Sequence, residues 1–264
     1  MDLEPYKQFA VQLAERSGDL IRPYFGRPDL YVELKPDNTI VTKADRDAEA
    51  LMREMIAARF PDHGVIGEEF GEERRDAEFV WVLDPIDGTI SFASGSPLFG
   101  TLIAVQHEGR PVLGVIHQPV LGQLCLGDCV NATLNGTPAR VRTTPSLSAA
   151  TLLVTDIGEV SRWQDGGAFA ALMREVKLVR TWGDCYGYLL LATGHADVMC
   201  DPVMNPWDIA ALVPVVQGAG GVITDWQGRD AVGASSTVAT TSPALHAEVL
   251  RRLNRSVVEG GDVG

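Results

Sequence analysis

Residues 84–89 read Asp-Pro-Ile-Asp-Gly-Thr, straight after the apolar run Trp81-Val82-Leu83. Two carboxylates brought together at the end of a buried strand repel each other and rise in pKa unless a cation sits between them. Magnesium suits that position, because it takes oxygen ligands in near-octahedral geometry and keeps waters that can become nucleophiles. Pro85 reads as the residue that stops the strand's ladder and fixes the backbone between Asp84 and Asp87. The Ile86 carbonyl faces the same place and offers a further oxygen. The amides of Gly88 and Thr89 open a turn able to receive a phosphate, the more so if a short helix starts there. An isolated DPxDG also describes an Asx-type turn with exposed aspartates.

Other stretches add candidates of the same chemical type. In VIGEEFGEE (residues 65–73), Glu68 and Glu69 follow a short apolar strand and a glycine, while Glu72 and Glu73 read as a solvated acidic loop. In MNPWDIAAL (residues 204–212), Asn205 suits an N-cap and Pro206 the first helical position. Asp208 in that first turn is either a dipole partner of its helix or a ligand. In TIVTKADRDAE (residues 39–49), Asp45 opens a helix, where capping or dipole stabilisation accounts for it, and Thr42 reads as an ordinary strand-end residue. A catalytic use of Asp45 arises only in combination with Thr89.

Two helices are predicted to precede the paired aspartates, over residues 4–25 (Phe9, Leu13, Leu20, Ile21, Phe25) and 44–60 (Leu51, Met55, Ile56, Phe60), flanking an extended piece from Leu30 to Leu34. Residues 79–142 break into short β-rich runs separated by Gly, Pro and Asn-Gly, which predicts a meandering antiparallel sheet. After a small-residue stretch near 143–148, strands and helices alternate as in a layered α/β unit. The predicted division is an N-terminal α+β domain, 1–145, carrying most candidate ligands, and a C-terminal α/β domain, 146–264, carrying Asp208. Residues 256–264 read as a frayed tail.

The chain has 264 residues, 45% of them apolar, enough for a proper core. A net charge of −13 and a pI near 4.8 argue against attraction to nucleic acid or to anionic lipid. An anionic substrate therefore needs a local cation. The N-terminus lacks a basic segment followed by an apolar one, and no stretch reaches membrane-spanning length, so the expected location is the cytoplasm, with no membrane partner. Cys125, Cys129, Cys185 and Cys200 lack the spacing of a zinc site and read as reduced structural thiols. No P-loop occurs, and GAGG at 218–221 reads as a helix-end turn.

In order, VTKAD (residues 41–45), GEE (67–69), DPIDGT (84–89) and WDIA (207–210) resemble the inositol monophosphatase family of metal-dependent, lithium-sensitive phosphatases, over nearly the whole chain. The stretches SGSPLFGTLIAVQHEGRPVLGVIHQPVLG and TWGDCYGYLLLATGHADVMCDPVMNPWDIAAL resemble more closely one branch, the inositol monophosphatase-like histidinol-phosphate phosphatases of histidine biosynthesis. The resemblance implies a layered α/β/α/β/α sandwich, usually dimeric. It also implies that Glu68, Asp84, Asp87, Asp208 and the Ile86 carbonyl hold roughly two or three Mg²⁺ ions. Thr89, paired with Asp45 and helped by Glu68, would orient and deprotonate a water activated by the metal, with Asp87, Gly88 and Thr89 bordering the substrate phosphate. Glu69 either assists Glu68 or has no part.

Asp201 stands where inositol-specific relatives carry a glutamate that contacts substrate hydroxyls, and Asp184 where they have an uncharged residue. Carboxylates there favour the ammonium and imidazole of histidinol phosphate over a neutral polyol. Asp184 also reads as a helix N-cap, and Trp182 and Tyr186 either wall the imidazole or belong to the core. Ile90, Ile40 and His117 depart from the branch's pattern, and His117 reads as structural. The alternatives are a phosphatase of the same family acting on inositol phosphates, sugar phosphates or a nucleotide bisphosphate, and a non-catalytic regulator that binds the transcription machinery.

Overall fold

The computed structural model describes residues 1–34 and 40–254; the tail expected to fray lies outside them. Helix α1 (Glu4–Ile21) leads to a hairpin of β1 (Val32–Leu34) and β2 (Ile40–Thr42), then α2 (Lys43–Arg59). Strands β3 (Gly64–Gly67), β4 (Gly71–Glu73) and β5 (Phe79–Asp87) follow, and a short α3 (Thr89–Ala93) separates them from β6 (Gly100–His107). The meander continues through β7 (Arg110–Gln118), β8 (Gln123–Gly127), β9 (Ala132–Leu134) and β10 (Thr137–Ala139). The remaining chain runs β11 (Thr151–Val154), α4 (Ile157–Trp163), α5 (Gly166–Glu175), β12 (Leu178–Arg180), α6 (Asp184–Ala192), β13 (Val198–Asp201), α7 (Pro206–Gly218), β14 (Val222–Thr224), β15 (Thr237–Thr240) and α8 (Pro243–Leu253).

One sheet has eight strands in the order β10-β9-β8-β7-β6-β5-β3-β4, all antiparallel neighbours except the parallel pair β3–β5. A second has five, β12-β11-β13-β15-β14, parallel across β12, β11 and β13 and antiparallel beyond, and β1 and β2 form a separate pair. Alternation along the strands divides their side chains between faces. Trp81, Leu83, Ile103, Val105 and Val115 meet Phe9, Leu13, Met52 and Ile56 of α1 and α2. Val82, Leu102 and Ile116 point the other way, onto α6 and α7, whose far side packs on Leu153, Met199 and Ala239 of the second sheet. That sheet's outer face, with Leu152, Val198 and Val238, is covered by Val160, Phe169, Leu245 and Val249 of α4, α5 and α8. The layers are therefore α/β/α/β/α. Helices α6 and α7 lie apolar on both sides between the sheets, which explains their nearly continuous apolar sequence.

Two local expectations are corrected. Strand β5 does not stop at Pro85 but runs on to Asp87 through an irregularity in register: Asp84 faces Leu102 of β6, yet Asp87 faces Gly100. Glu72 and Glu73 lie in the short exposed edge strand β4, paired to β3, rather than in a loop.

Candidate active site

The acidic residues gather where strands end and helices begin. Glu68 follows β3, Asp84 and Asp87 close β5, Asp201 closes β13, and Asp45, Asp184 and Asp208 lie in the first turns of α2, α6 and α7. Carboxylates at helix N-termini are favoured by the unpaired amides and the dipole there. The extra residue in β5 decides the geometry. On a regular strand, side chains at i and i+3 point to opposite faces. With one more residue on β5 than on β6 between the paired positions, the bulge turns Asp87 to the side of Asp84. Carboxylate oxygens of Asp84, Asp87 and Asp208 consequently lie within 4.8 Å of one another.

No lysine or arginine pairs with these three among the described residues. Burial pushes Asp84 well above the ordinary carboxylate range, and the charges of Glu68, Asp87 and Asp208 add to it. Asp87 rises for the same reasons, burial first and then the charges of Asp184 and Asp208, against a hydrogen bond from the Cys185 amide. Asp208 is pushed up to about 7 by burial, although it accepts the Asn205 amide at 2.6 Å in a capping box. Asp208 is thus both helix cap and member of the cluster. A set of oxygen donors with no lysine or arginine beside it among the described residues fits a hard divalent cation.

Thr89 stands beside the cluster. Its hydroxyl donates to the Ile86 carbonyl at 3.0 Å and lies 3.4 Å from Asp45 Oδ1. Asp45 Oδ2 accepts from the Thr42 amide at 2.9 Å and the Thr42 hydroxyl at 2.5 Å, so Thr42 is the N-cap of α2 as well as the last residue of β2. Burial pushes Asp45 up to about 7 against those hydrogen bonds. Gly88, the N-cap of α3, has φ 85°, and a Cβ there would lie 2.8 Å from Asp184 Oδ2 and 2.9 Å from the Leu98 carbonyl.

Asp87 and Asp208 open into a pocket of about 110 Å³ that Asp156, Glu159, Asp184 and Asp201 also line; none of its lining residues is basic. Asp201 accepts the Tyr188 hydroxyl at 2.8 Å and the Thr155 amide at 3.2 Å, and its pKa is raised by burial. Asp184 is not the N-cap of α6, which is Gly183; it occupies the first helical position in the left-handed region, φ 50°. Its amide donates to Thr155 Oγ1 at 2.8 Å, and burial together with Asp201 pushes its carboxyl to about 7. A larger cleft of about 550 Å³, with Arg75, Gln106 and Trp207 on its walls, holds none of Asp84, Asp87 or Asp208. Converging carboxylates, not cavity size, mark the site.

A model of the inositol monophosphatase family matches residues 2–258. The chain belongs to that family. It is 44% identical over 231 residues to a histidinol-phosphatase of Chlorobaculum parvum, covering 87% of this chain and 89% of that one. It is 37% identical over 251 residues to a histidinol-phosphatase of Mycobacterium tuberculosis, covering 93% and 96%. Its fold superposes on an inositol monophosphatase from Zymomonas mobilis with a TM-score of 0.87 at 37% identity, covering 96% and 99%. As a member of the inositol monophosphatase family, the protein is a phosphoric monoester hydrolase, and the acidic cluster accords with that family's dependence on metal.

In this inositol monophosphatase-family chain, Thr155, Asp156 and Glu159 were not anticipated at the pocket. Their position just past the carboxyl end of β11, a parallel strand, was the available signal. Ile90 is 73% and Trp182 42% exposed, Tyr186 packs against the central core, and His117 is buried, its Nδ1 without a hydrogen-bond partner among the described residues. All four cysteines are free thiols, and no helix of the described residues is long and apolar enough to cross a membrane.

Proposed function

We propose that the protein hydrolyses L-histidinol phosphate to L-histidinol and phosphate, using Mg²⁺ held by Glu68, Asp84, Asp87, Asp208 and the Ile86 carbonyl. The observation that carries this assignment is the pocket: beyond the cluster it continues into Asp156, Glu159, Asp184 and Asp201, with no cationic side chain. A phosphate entering such a place needs a metal, and the part of the substrate beyond the phosphate is best matched if it is a cation. The ammonium of histidinol supplies one, where inositol offers only hydroxyls. Similarity to two histidinol-phosphatases supports the same substrate.

Bound Mg²⁺ supplies charge neutralisation for the ester and Lewis acidity toward its oxygens and the attacking water. The chain's own residues place and deprotonate that water. Thr89 has one hydroxyl hydrogen, shared between Ile86 and Asp45. With the Ile86 carbonyl engaged as a ligand, Asp45 would be the remaining acceptor for the Thr89 hydroxyl, whose lone pairs would be free to accept from the water. Asp45, held near neutrality by burial, is matched to accept a proton at working pH. Asp184, fixed by its bond to Thr155 and the left-handed start of α6, faces the substrate ammonium. Asp201 shapes that wall, since both its oxygens already accept hydrogen bonds.

The test is phosphate release from histidinol phosphate and from inositol monophosphate, each with and without Mg²⁺. The expected result is Mg²⁺-dependent turnover favouring histidinol phosphate by at least about tenfold in kcat/KM. A comparable preference for inositol monophosphate would overturn the substrate assignment, and unaltered turnover after chelation would overturn the metal.

A further inference from the structure

Behind the turn that carries Glu68 lies a buried carboxylate for which the chemistry above has no use. Glu49 sits one helical turn after Asp45 on α2, on the same face, and is fully buried. Its Oε2 accepts the Glu69 amide at 2.8 Å; its Oε1 accepts the Phe70 amide at 3.2 Å and Arg53 Nε at 2.7 Å. Arg53 in turn reaches the Gly71 carbonyl. The two side chains thus grip the peptide groups of residues 69, 70 and 71 from within α2. Gly67, on the other side of Glu68, completes the fit: a Cβ there would lie 2.0 Å from Glu49 Oε1, so β3 can end over the carboxylate only without a side chain.

A buried carboxylate is costly unless several donors satisfy it, and a short hairpin turn closes without one. The turn does, however, carry Glu68, whose amide is tied to the Leu83 carbonyl at 3.2 Å and whose charge bears on Asp84, Asp208 and Asp45. We propose that Glu49 and Arg53 are positioning residues for the metal site, an inference that rests on Glu68 being a metal ligand. Helix α2 is then a common base: from it Asp45 reaches Thr89, and Glu49, one turn on, fixes the hairpin that presents Glu68 to Asp84. Groups that orient metal ligands are typically worth about 10- to 100-fold in metal affinity.

Glu49→Gln replaces one acceptor oxygen with a donor that faces N–H groups. Calorimetric titration of Mg²⁺ into the metal-free, full-length chain, with hydrogen exchange at the amides of residues 69 and 70, reads the effect without turnover. The expected result is Mg²⁺ binding weaker by about 10- to 100-fold, faster exchange at both amides, and a substrate KM at saturating Mg²⁺ within about twofold of wild type. A buried salt bridge that only stabilised the fold would leave affinity unmoved well below the melting temperature. If Glu49→Gln does not fold, Arg53→Lys carries the test: it keeps the charge beside Glu49 but gives up the fork that also reaches Gly71, and the same two readouts should move in the same direction. A folded variant that binds Mg²⁺ like wild type, or binds it weakly with exchange at residues 69 and 70 unchanged, would overturn the proposal. Glu68→Gln, titrated in parallel, separates the premises: unchanged affinity there removes Glu68 as a ligand, whereas lost affinity there beside normal affinity in Glu49→Gln rejects the positioning role alone.

Discussion

Thr89 and Asp184 carry the sharpest claims at the scale of single residues. Thr89→Val removes the hydroxyl between Ile86 and Asp45 but keeps the shape, so kcat should fall by about 10²- to 10⁴-fold. Thr89→Ser should recover most of it; equal turnover for Val and Ser would remove the hydroxyl from the mechanism. Asp184→Asn should raise KM for histidinol phosphate by roughly 10- to 100-fold, the worth of a charge-assisted hydrogen bond, and leave a phosphomonoester whose alcohol part carries no cation much less affected. A uniform effect on both substrates would show that Asp184 does not read the ammonium. Residues of this kind were legible because their motifs are short: Asp84 and Asp87 lie within one DPIDGT, and Asn205, Pro206 and Asp208 spell a helix start. Glu49 was not. In DRDAEALMRE an acid beside other charges reads as a solvated helix face, and only the β3–β4 turn, distant in sequence, buries it.

At the scale of elements, the site depends on the irregular end of β5 and the tight start of α3. Gly88→Ala would meet both a left-handed backbone and the carboxylate of Asp184. It should cost about 1–3 kcal/mol, read as a lower urea midpoint with an unchanged slope, and should weaken catalysis with it. An unchanged midpoint would show that the turn relaxes freely. Strand alternation, turn residues and helix caps announced most elements, since each is a local signal: Asn205 and Asp208 cap as their types suggest, whereas Thr42, read as an ordinary strand end, also caps α2 with Asp45. The bulge could not be read, because it exists only in the count of residues on β5 against those on β6. The edge strand β4 escaped for a related reason. Gly-Glu-Glu has no β propensity of its own and is extended because β3 lies beside it.

At the scale of the whole molecule, buried ionisable groups make stability depend on pH in two opposed ways. Burial raises Asp45, Asp184 and Asp208 to about 7 in the fold from an ordinary 3.8. In the metal-free protein their contribution is fully present below 3.8 and is lost as pH rises through about 7. His117 and His246, pushed by burial to about 4 from 6.5, contribute stability that is present above 6.5 and lost as pH falls through about 4. Magnesium competes with the protons on the carboxylates. The rise in melting temperature on adding Mg²⁺ should therefore be largest near pH 8 and shrink as pH falls below about 7. A rise independent of pH would mean that the ion binds elsewhere. The layered architecture itself was accessible from the sequence through a four-motif resemblance and the alternation of strands and helices, whereas the central position of α6 and α7 follows from their burial on two sides.

That carboxylates from β5 and from α7, far apart in the chain, form one cage for a divalent cation is the claim on which the rest depends. Calorimetric titration of Mg²⁺ into metal-free wild type, Asp84→Asn and Asp208→Asn tests it most directly. Wild type should bind, and each variant, folded as judged by circular dichroism, should bind at least about tenfold more weakly; equal affinity in all three would contradict it.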